Sequence, residues 1–132
     1  MIRSDITAGA RLPRLALPPV SRTTLALFAG ASGDHNPIHI DIDAARDAGH
    51  DDVFAHGMLS MAYLGRLLTD WVPQEHIRSW SVRFAAITPV GARPACTGTV
   101  VALYDGLATL ELEVTLDDGT VALTGTAVID VT

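Results

Sequence analysis

The stretch 57–72 constrains this chain more than any other. Met58, Leu59, Met61, Ala62, Tyr63, Leu64, Leu67, Leu68, Trp71 and Val72 fall on nearly every face of a helix, which Pro73 then ends. A helix that is apolar almost all round has no side to give to water, so another layer must wrap it. The chain that follows changes period. Leu110, Leu112, Val114 and Leu116 alternate with Glu111, Glu113 and Thr115, a two-residue repeat with one dry and one wet face. Asp105-Gly106 and Asp118-Gly119 read as hairpin turns. Four strands are predicted at 77–86, 93–104, 107–117 and 120–131. The expected class is α+β, with a mostly antiparallel sheet curled around one long helix.

The first half reads as shorter pieces. Residues 1–13 look like a loose lead-in, and 15–20 a short edge strand broken by Pro18 and Pro19. Ser21 is a good N-cap for a helix over 22–31, with Gly30 and Gly33 as its exit. Asp41 can cap a brief helix through Ala44, Ala45 and Arg46 that stops at Gly49. Without repeat, linker or low-complexity segment, residues 1–132 form a single domain, and 48% hydrophobic residues promise a sizeable core. The net charge is −6 and all nine basic residues are arginine; an acidic chain with no basic cluster argues against a nucleic-acid partner. The single cysteine, Cys96, has no internal partner and fits a reducing compartment, where it serves as a small hydrophobe in a strand. Residues 1–13 carry Arg3, Asp5 and Arg11 and no apolar run, so no signal peptide is expected. No apolar stretch approaches the roughly 20 residues that cross a bilayer, so the chain reads as soluble and cytoplasmic, without a membrane partner.

Chemistry concentrates in Gly33-Asp34-His35-Asn36-Pro37-Ile38-His39 and in Ala55-His56-Gly57-Met58. A carboxylate and an imidazole five residues apart do not share a helix face. Pro37 biases Asn36 out of the helical region, so the segment is a bent loop able to aim Asp34 and His39 at one point. Asn36 is expected to tie that loop with its amide, with a substrate contact as the alternative, and His56 to shape the start of the long helix that Gly57 opens. His35 and His39 have the spacing of a helical zinc pair, but Pro37 lies between them and no metal site is expected. His50, Asp51 and Asp52 read as a solvated turn, and Arg66 could pair with Asp70 across one turn. Nucleophile elbow, phosphate loop and dinucleotide fingerprint are all missing from the sequence.

Phe28-Ala-Gly-Ala-Ser-Gly-Asp34-His-Asn36-Pro37-Ile-His39 resembles the signature of MaoC-like, (R)-specific enoyl-thioester hydratases and dehydratases. Ala55-His56-Gly57-Met58 resembles the start of their central helix. The likeness is closest over 28–72 and extends by pattern to nearly the whole chain. It implies a hot-dog fold, usually paired as a homodimer or as a hot-dog heterodimer. It also implies that Asp34 and His39 bind and activate water, while Gly57 offers its backbone N–H to the thioester oxygen. Asn36 and His56 join Gly57 as candidate substrate-binding residues.

These are the groups that such chemistry requires. Hydrating a 2-enoyl thioester brings water to the β-carbon, a proton to the α-carbon, and enolate charge to the thioester oxygen. Two adjacent proton acceptors orient the water and take its proton, and a helix N-terminus supplies free N–H groups for the developing charge. The thioester already acidifies the α-position, so no cofactor is expected. The implied substrates are thioesters of coenzyme A or acyl carrier protein, with a small or medium acyl group. Two other readings stand beside the enzyme: a binding subunit that pairs with another hot-dog chain in a heterodimeric dehydratase, and an acyl thioesterase.

Overall fold

A computed structural model describes residues 6–132. Its elements, in order, are β1 (Leu15–Ala16), α1 (Arg22–Ser32), a one-turn 3-10 helix (Pro37–His39), α2 (Ile42–Asp47), α3 (Gly57–Trp71), a second 3-10 turn (Gln74–His76), β2 (Ile77–Phe84), β3 (Ala95–Tyr104), β4 (Leu107–Thr115) and β5 (Val121–Asp130). The strands form one antiparallel sheet in the order β1-β3-β4-β5-β2. The dry face anticipated from the alternation is observed: Leu110, Leu112 and Val114 are buried with Cys96, Val100, Leu123, Ala127 and Ile129 against Leu64, Leu67 and Leu68 of α3. A smaller core of Val20, Leu25, Ala45, Val53, Ala55 and Leu59 packs α1 and α2 beside the first turn of α3. The long helix thus joins two cores, and the loop carrying Asp34 and His39 runs between α1 and α2, over the smaller one.

The seating of β2 on α3 follows from two glycines and two aromatic rings. A Cβ on Gly57 would lie 2.9 Å from the Phe84 ring, and one on Gly65 would lie 2.8 Å from Cη2 of Trp80. Eight helical residues rise about 12 Å, and the four strand residues from Trp80 to Phe84 span about 13 Å. The spacings match, so each ring meets one bare stretch of helix backbone. This antiparallel match fixes the register of β2 along α3 and brings Phe84 to the helix N-terminus.

Three expectations need correction. The lead-in is not loose over its described part: Gly9 N–H donates to Val100 O at 2.7 Å, Leu12 N–H donates to Gly98 O at 2.9 Å, and Ile6 and Leu12 are buried in the main core. The rest of that lead-in, residues 1–5, lies outside the described residues. The helix exit also differs, because Gly30 stays inside α1 and only Gly33, at φ 77°, forms the left-handed cap. Finally, α3 is not enclosed all round. Met58, Ala62, Arg66 and Asp70, each four residues on from the last, form a stripe the sheet does not reach. The Arg66–Asp70 pair on it is 4.0 Å apart and largely exposed, a geometry that contributes little. Among the described residues no helix is long and apolar enough to cross a membrane.

Candidate active site

The bent loop is built by a relay of side-chain oxygens at alternate positions. Asp34 N–H donates to Ser32 Oγ at 3.2 Å, Asn36 N–H to Asp34 Oδ1 at 3.2 Å, and Ile38 N–H to Asn36 Oδ1 at 3.3 Å. Short polar side chains that capture the N–H two residues ahead stabilise turns against helix. Asn36 is the N-cap of the 3-10 turn and Pro37 its first residue, so the turn starts where it does because of these two side chains. It delivers His39, which is buried, while Asp34 stays exposed. Asn36 therefore ties the loop through its amide oxygen, as the sequence suggested, and its exposed NH2 makes no bond to another described residue.

Two imidazoles meet behind that loop. His39 Nδ1–H donates to Phe54 O at 2.8 Å. A carbonyl only accepts, so in the neutral ring the lone pair sits on Nε2. His56 Nε2–H donates to the backbone carbonyl of Asp34 at 3.1 Å, which leaves the His56 Nδ1 lone pair buried and without a partner among the described residues. The two rings stack at 4.0 Å and 26°, and Phe28 closes the far side of His56 edge-on at 4.9 Å. Polar ring atoms of both histidines and a carboxylate oxygen of Asp34 all lie within 4.8 Å of one another. Such a trio also suggests a metal site. Yet stacked rings keep their lone pairs in two nearly parallel planes with centroids 4.0 Å apart, while a shared ion needs them to converge at about 2.0–2.1 Å. The arrangement suits proton transfer better than coordination. His35 is exposed on the same loop and takes no part.

The first turn of α3 lies next to this group. His56 is its N-cap residue but makes no side-chain capping bond, and no acidic residue stands in the first turn. The leading N–H groups, Gly57 first, are thus left for a ligand. They open on a cavity of about 320 Å³ lined by Phe54, Ala55, Gly57, Ser60, Phe84 and Thr88, among others. Phe54 links the two regions: its carbonyl holds His39, and its ring meets that of His39 edge-on at 5.0 Å. A larger concavity of about 880 Å³ lies over the solvent face of the sheet, where Arg11, Arg14 and Arg83 alternate with Glu111 and Glu113. It contains none of the residues above, and its mixed charge selects no single ligand. The turn expected at 50–52 is not merely solvated: Arg22 of α1 grips both carboxylate oxygens of Asp52 at 2.9 and 2.5 Å. That hydrogen-bonded pairing holds the Asp52 carboxyl below its usual range and ties α1 to the segment leading into α3.

With this geometry in view, comparison with known proteins is decisive for the family. Residues 9–119 match the family described as MaoC like domain. The chain belongs to that family. A 3-hydroxyacyl-thioester dehydratase Z of Mycobacterium tuberculosis is 28% identical over 130 residues, covering 94% of this chain and 80% of the relative. An (R)-specific enoyl-CoA hydratase of Rhodospirillum rubrum is 33% identical over 86 residues, covering 64% of this chain and 60% of that one. Among solved structures, the (R)-hydratase from A. caviae involved in PHA biosynthesis superposes with TM-score 0.88 at 27% identity, over 98% of this chain and 100% of that one. The ChsH1–ChsH2 complex of M. tuberculosis gives 0.85 at 27%, over 96% and 98%. The MaoC-like chain described here therefore has the hot-dog fold expected from its sequence.

All five candidate residues, Asp34, Asn36, His39, His56 and Gly57, fall in this one region. Sequence reasoning missed the cavity wall. Ser60 is the polar exception among the buried residues of α3, three residues from Gly57, and that was the available signal. Phe54, Phe84 and Thr88 come from segments with no local sign of a site.

Proposed function

We propose that this MaoC-like chain catalyses the reversible, (R)-specific hydration of trans-2-enoyl thioesters and the reverse dehydration of (R)-3-hydroxyacyl thioesters. The observation that carries this reading is the approach of Asp34 and His39 beside an uncapped helix N-terminus and the cavity it opens on. Water held between the Asp34 carboxylate and His39 Nε2 loses its proton to the pair as its oxygen bonds to the β-carbon. A proton from the same pair then goes to the α-carbon. The thioester oxygen takes up the enolate charge against Gly57 N–H; one such donor contributes on the order of 3 kcal/mol to the transition state. His56 holds the Asp34 backbone and backs the His39 ring. The names of the relatives support the reaction class, and the carrier is coenzyme A or acyl carrier protein in the cytoplasm.

The test is loss of enoyl absorbance on incubation with crotonyl-CoA and crotonyl carrier protein, followed by chiral analysis of the product. Asp34→Asn and His39→Ala should each lower kcat by about 10²–10⁴ while the far-UV spectrum is kept. Undiminished activity in either variant refutes the assignment.

Pairing is part of the reading. β2 ends the sheet as an eight-residue strand with one open edge, and Phe84 and Ile87 near it are 52% and 48% exposed; such an edge invites a partner strand. A homodimer accounts for it, and the likeness to the ChsH1–ChsH2 complex favours a heterodimer as the second reading. Size measurement of the chain expressed alone separates them: a stable, active dimer excludes the need for another chain.

A further inference from the structure

Among the described residues, the buried polar side chains are His39, His56, Ser60 and Thr88. The first two belong to the proton-transfer group. The other two have no assigned task, although Ser60 is only 2% exposed and Thr88 only 4%. Both line the cavity that opens at Gly57, and neither hydroxyl is hydrogen-bonded to another described residue. Hydroxyls nearer solvent, where a partner matters less, do have one: Ser21 with Thr24, Ser81 with Thr126, Thr115 with Glu113. A helical serine usually relieves itself on the carbonyl four residues back. For Ser60 that carbonyl belongs to His56, which accepts from Leu59 N–H at 3.0 Å and takes no bond from the Ser60 hydroxyl. The Thr88 carbonyl is likewise engaged, by Ala55 N–H at 2.9 Å, which fixes Thr88 opposite the lead into α3. Neither hydroxyl is among the enclosed side-chain atoms that lack a partner, so both open to the cavity that the two residues line, where alanine and valine would fill the same places, and two free hydroxyls on that wall point to a polar ligand.

Their position says which part of the ligand. Gly57 N–H faces the thioester oxygen, and the Asp34–His39 pair faces the β-carbon. Ser60 lies one turn further along α3, about 4.5 Å beyond Gly57 on the same face. We propose that the cavity takes an acyl group carrying a hydroxyl or keto oxygen beyond the reacting carbons, with Ser60 and Thr88 as its hydrogen-bond partners. A plain alkyl chain of the same length leaves both hydroxyls unpaired, and a site built around hydrogen bonds discriminates against the analogue that lacks them. This rests on the hydratase reading above and assigns its substrate class.

The experiment compares kcat/KM for trans-2-hexenoyl-CoA with that for its 5-oxo and 6-hydroxy derivatives, with crotonyl-CoA alongside. The wild type should favour at least one oxygenated substrate by about tenfold or more, and Ser60→Ala and Thr88→Val should each reduce that ratio about tenfold. The ratio cancels any general loss from misfolding. Turnover of crotonyl-CoA with a preference for plain hexenoyl, or a ratio unmoved by both substitutions, overturns the proposal and leaves the hydratase standing. No turnover of any of these thioesters by the wild type overturns the hydratase reading and this one with it.

Discussion

Replacing Gly65 by alanine tests the packing that aligns the whole site. In a helix interior the change should help, since alanine is favoured over glycine by about 1 kcal/mol. Here the new methyl would lie 2.8 Å from Cη2 and 3.3 Å from Cζ3 of Trp80. Those atoms belong to a rigid, half-buried ring whose far side packs on the main core, so β2 or α3 must shift. Forcing a methyl into such a place costs roughly 1–3 kcal/mol. Taking about 2 leaves a net loss of about 1 kcal/mol. For 132 residues the unfolding entropy is about 0.28 kcal/mol/K, so Tm should fall by about 4 °C. In a Trp80→Leu background the obstructing ring is gone, and the same substitution should raise Tm by about 3–4 °C. Thermal melts of the four proteins by circular dichroism, checked against urea midpoints, give a coupling of about 2 kcal/mol. A rise in Tm on Gly65→Ala in the wild type, or equal shifts in both backgrounds, would refute the reasoning that paired rings and glycines set the register.

Three further outcomes follow from individual contacts. His56→Phe keeps the stack on His39 and Phe28 but removes the 3.1 Å hydrogen bond to the Asp34 carbonyl; kcat should fall about ten- to a hundredfold with KM little changed, and a wild-type kcat would show His56 to be packing alone. Burial pushes the Cys96 thiol up to about 12, so it should ignore a disulfide reagent at pH 8 and react only in denaturant; rapid labelling of native protein would contradict its place in the core. Hydrogen bonds from the Thr132 hydroxyl and N–H, with the Arg78 guanidinium, hold the Asp130 carboxyl at about 2. Its folded value lies below the unfolded one, so its stabilisation is present above about pH 4 and fades as pH falls toward 2. Asp130→Asn should therefore narrow the gap between urea midpoints at pH 5 and pH 3, and an unchanged gap would dismiss the linkage.

The parts of the molecule that a reader can extract from sequence are those decided within a few residues. Ser21 and Asp41 cap the helices they precede, and the alternation through 110–116 marks its buried face residue by residue. What escapes is decided by distant chain. Arg22 reaches Asp52 across thirty positions, and nothing near either residue announces the pair. Met58 and Ala62 look as apolar as Leu59 and Leu64, yet they face outward because the sheet covers only part of α3. The cavity exists only where the start of α3 meets the end of β2, so Thr88 and Phe84 acquire a role from tertiary structure alone.

The candidate site was legible because one short loop is asked to do two things at once. Asp34 spends Oδ1 on the N–H of Asn36, and Asn36 spends its own oxygen on the turn that positions His39. The second carboxylate oxygen of Asp34 accepts nothing from the described residues. Alanine at Asn36 would release the Ile38 N–H and loosen the 3-10 turn without touching either group assigned to proton transfer. The polar residues stand at such close, fixed spacing because Asp34 both bends the chain and belongs to the pair proposed to activate water.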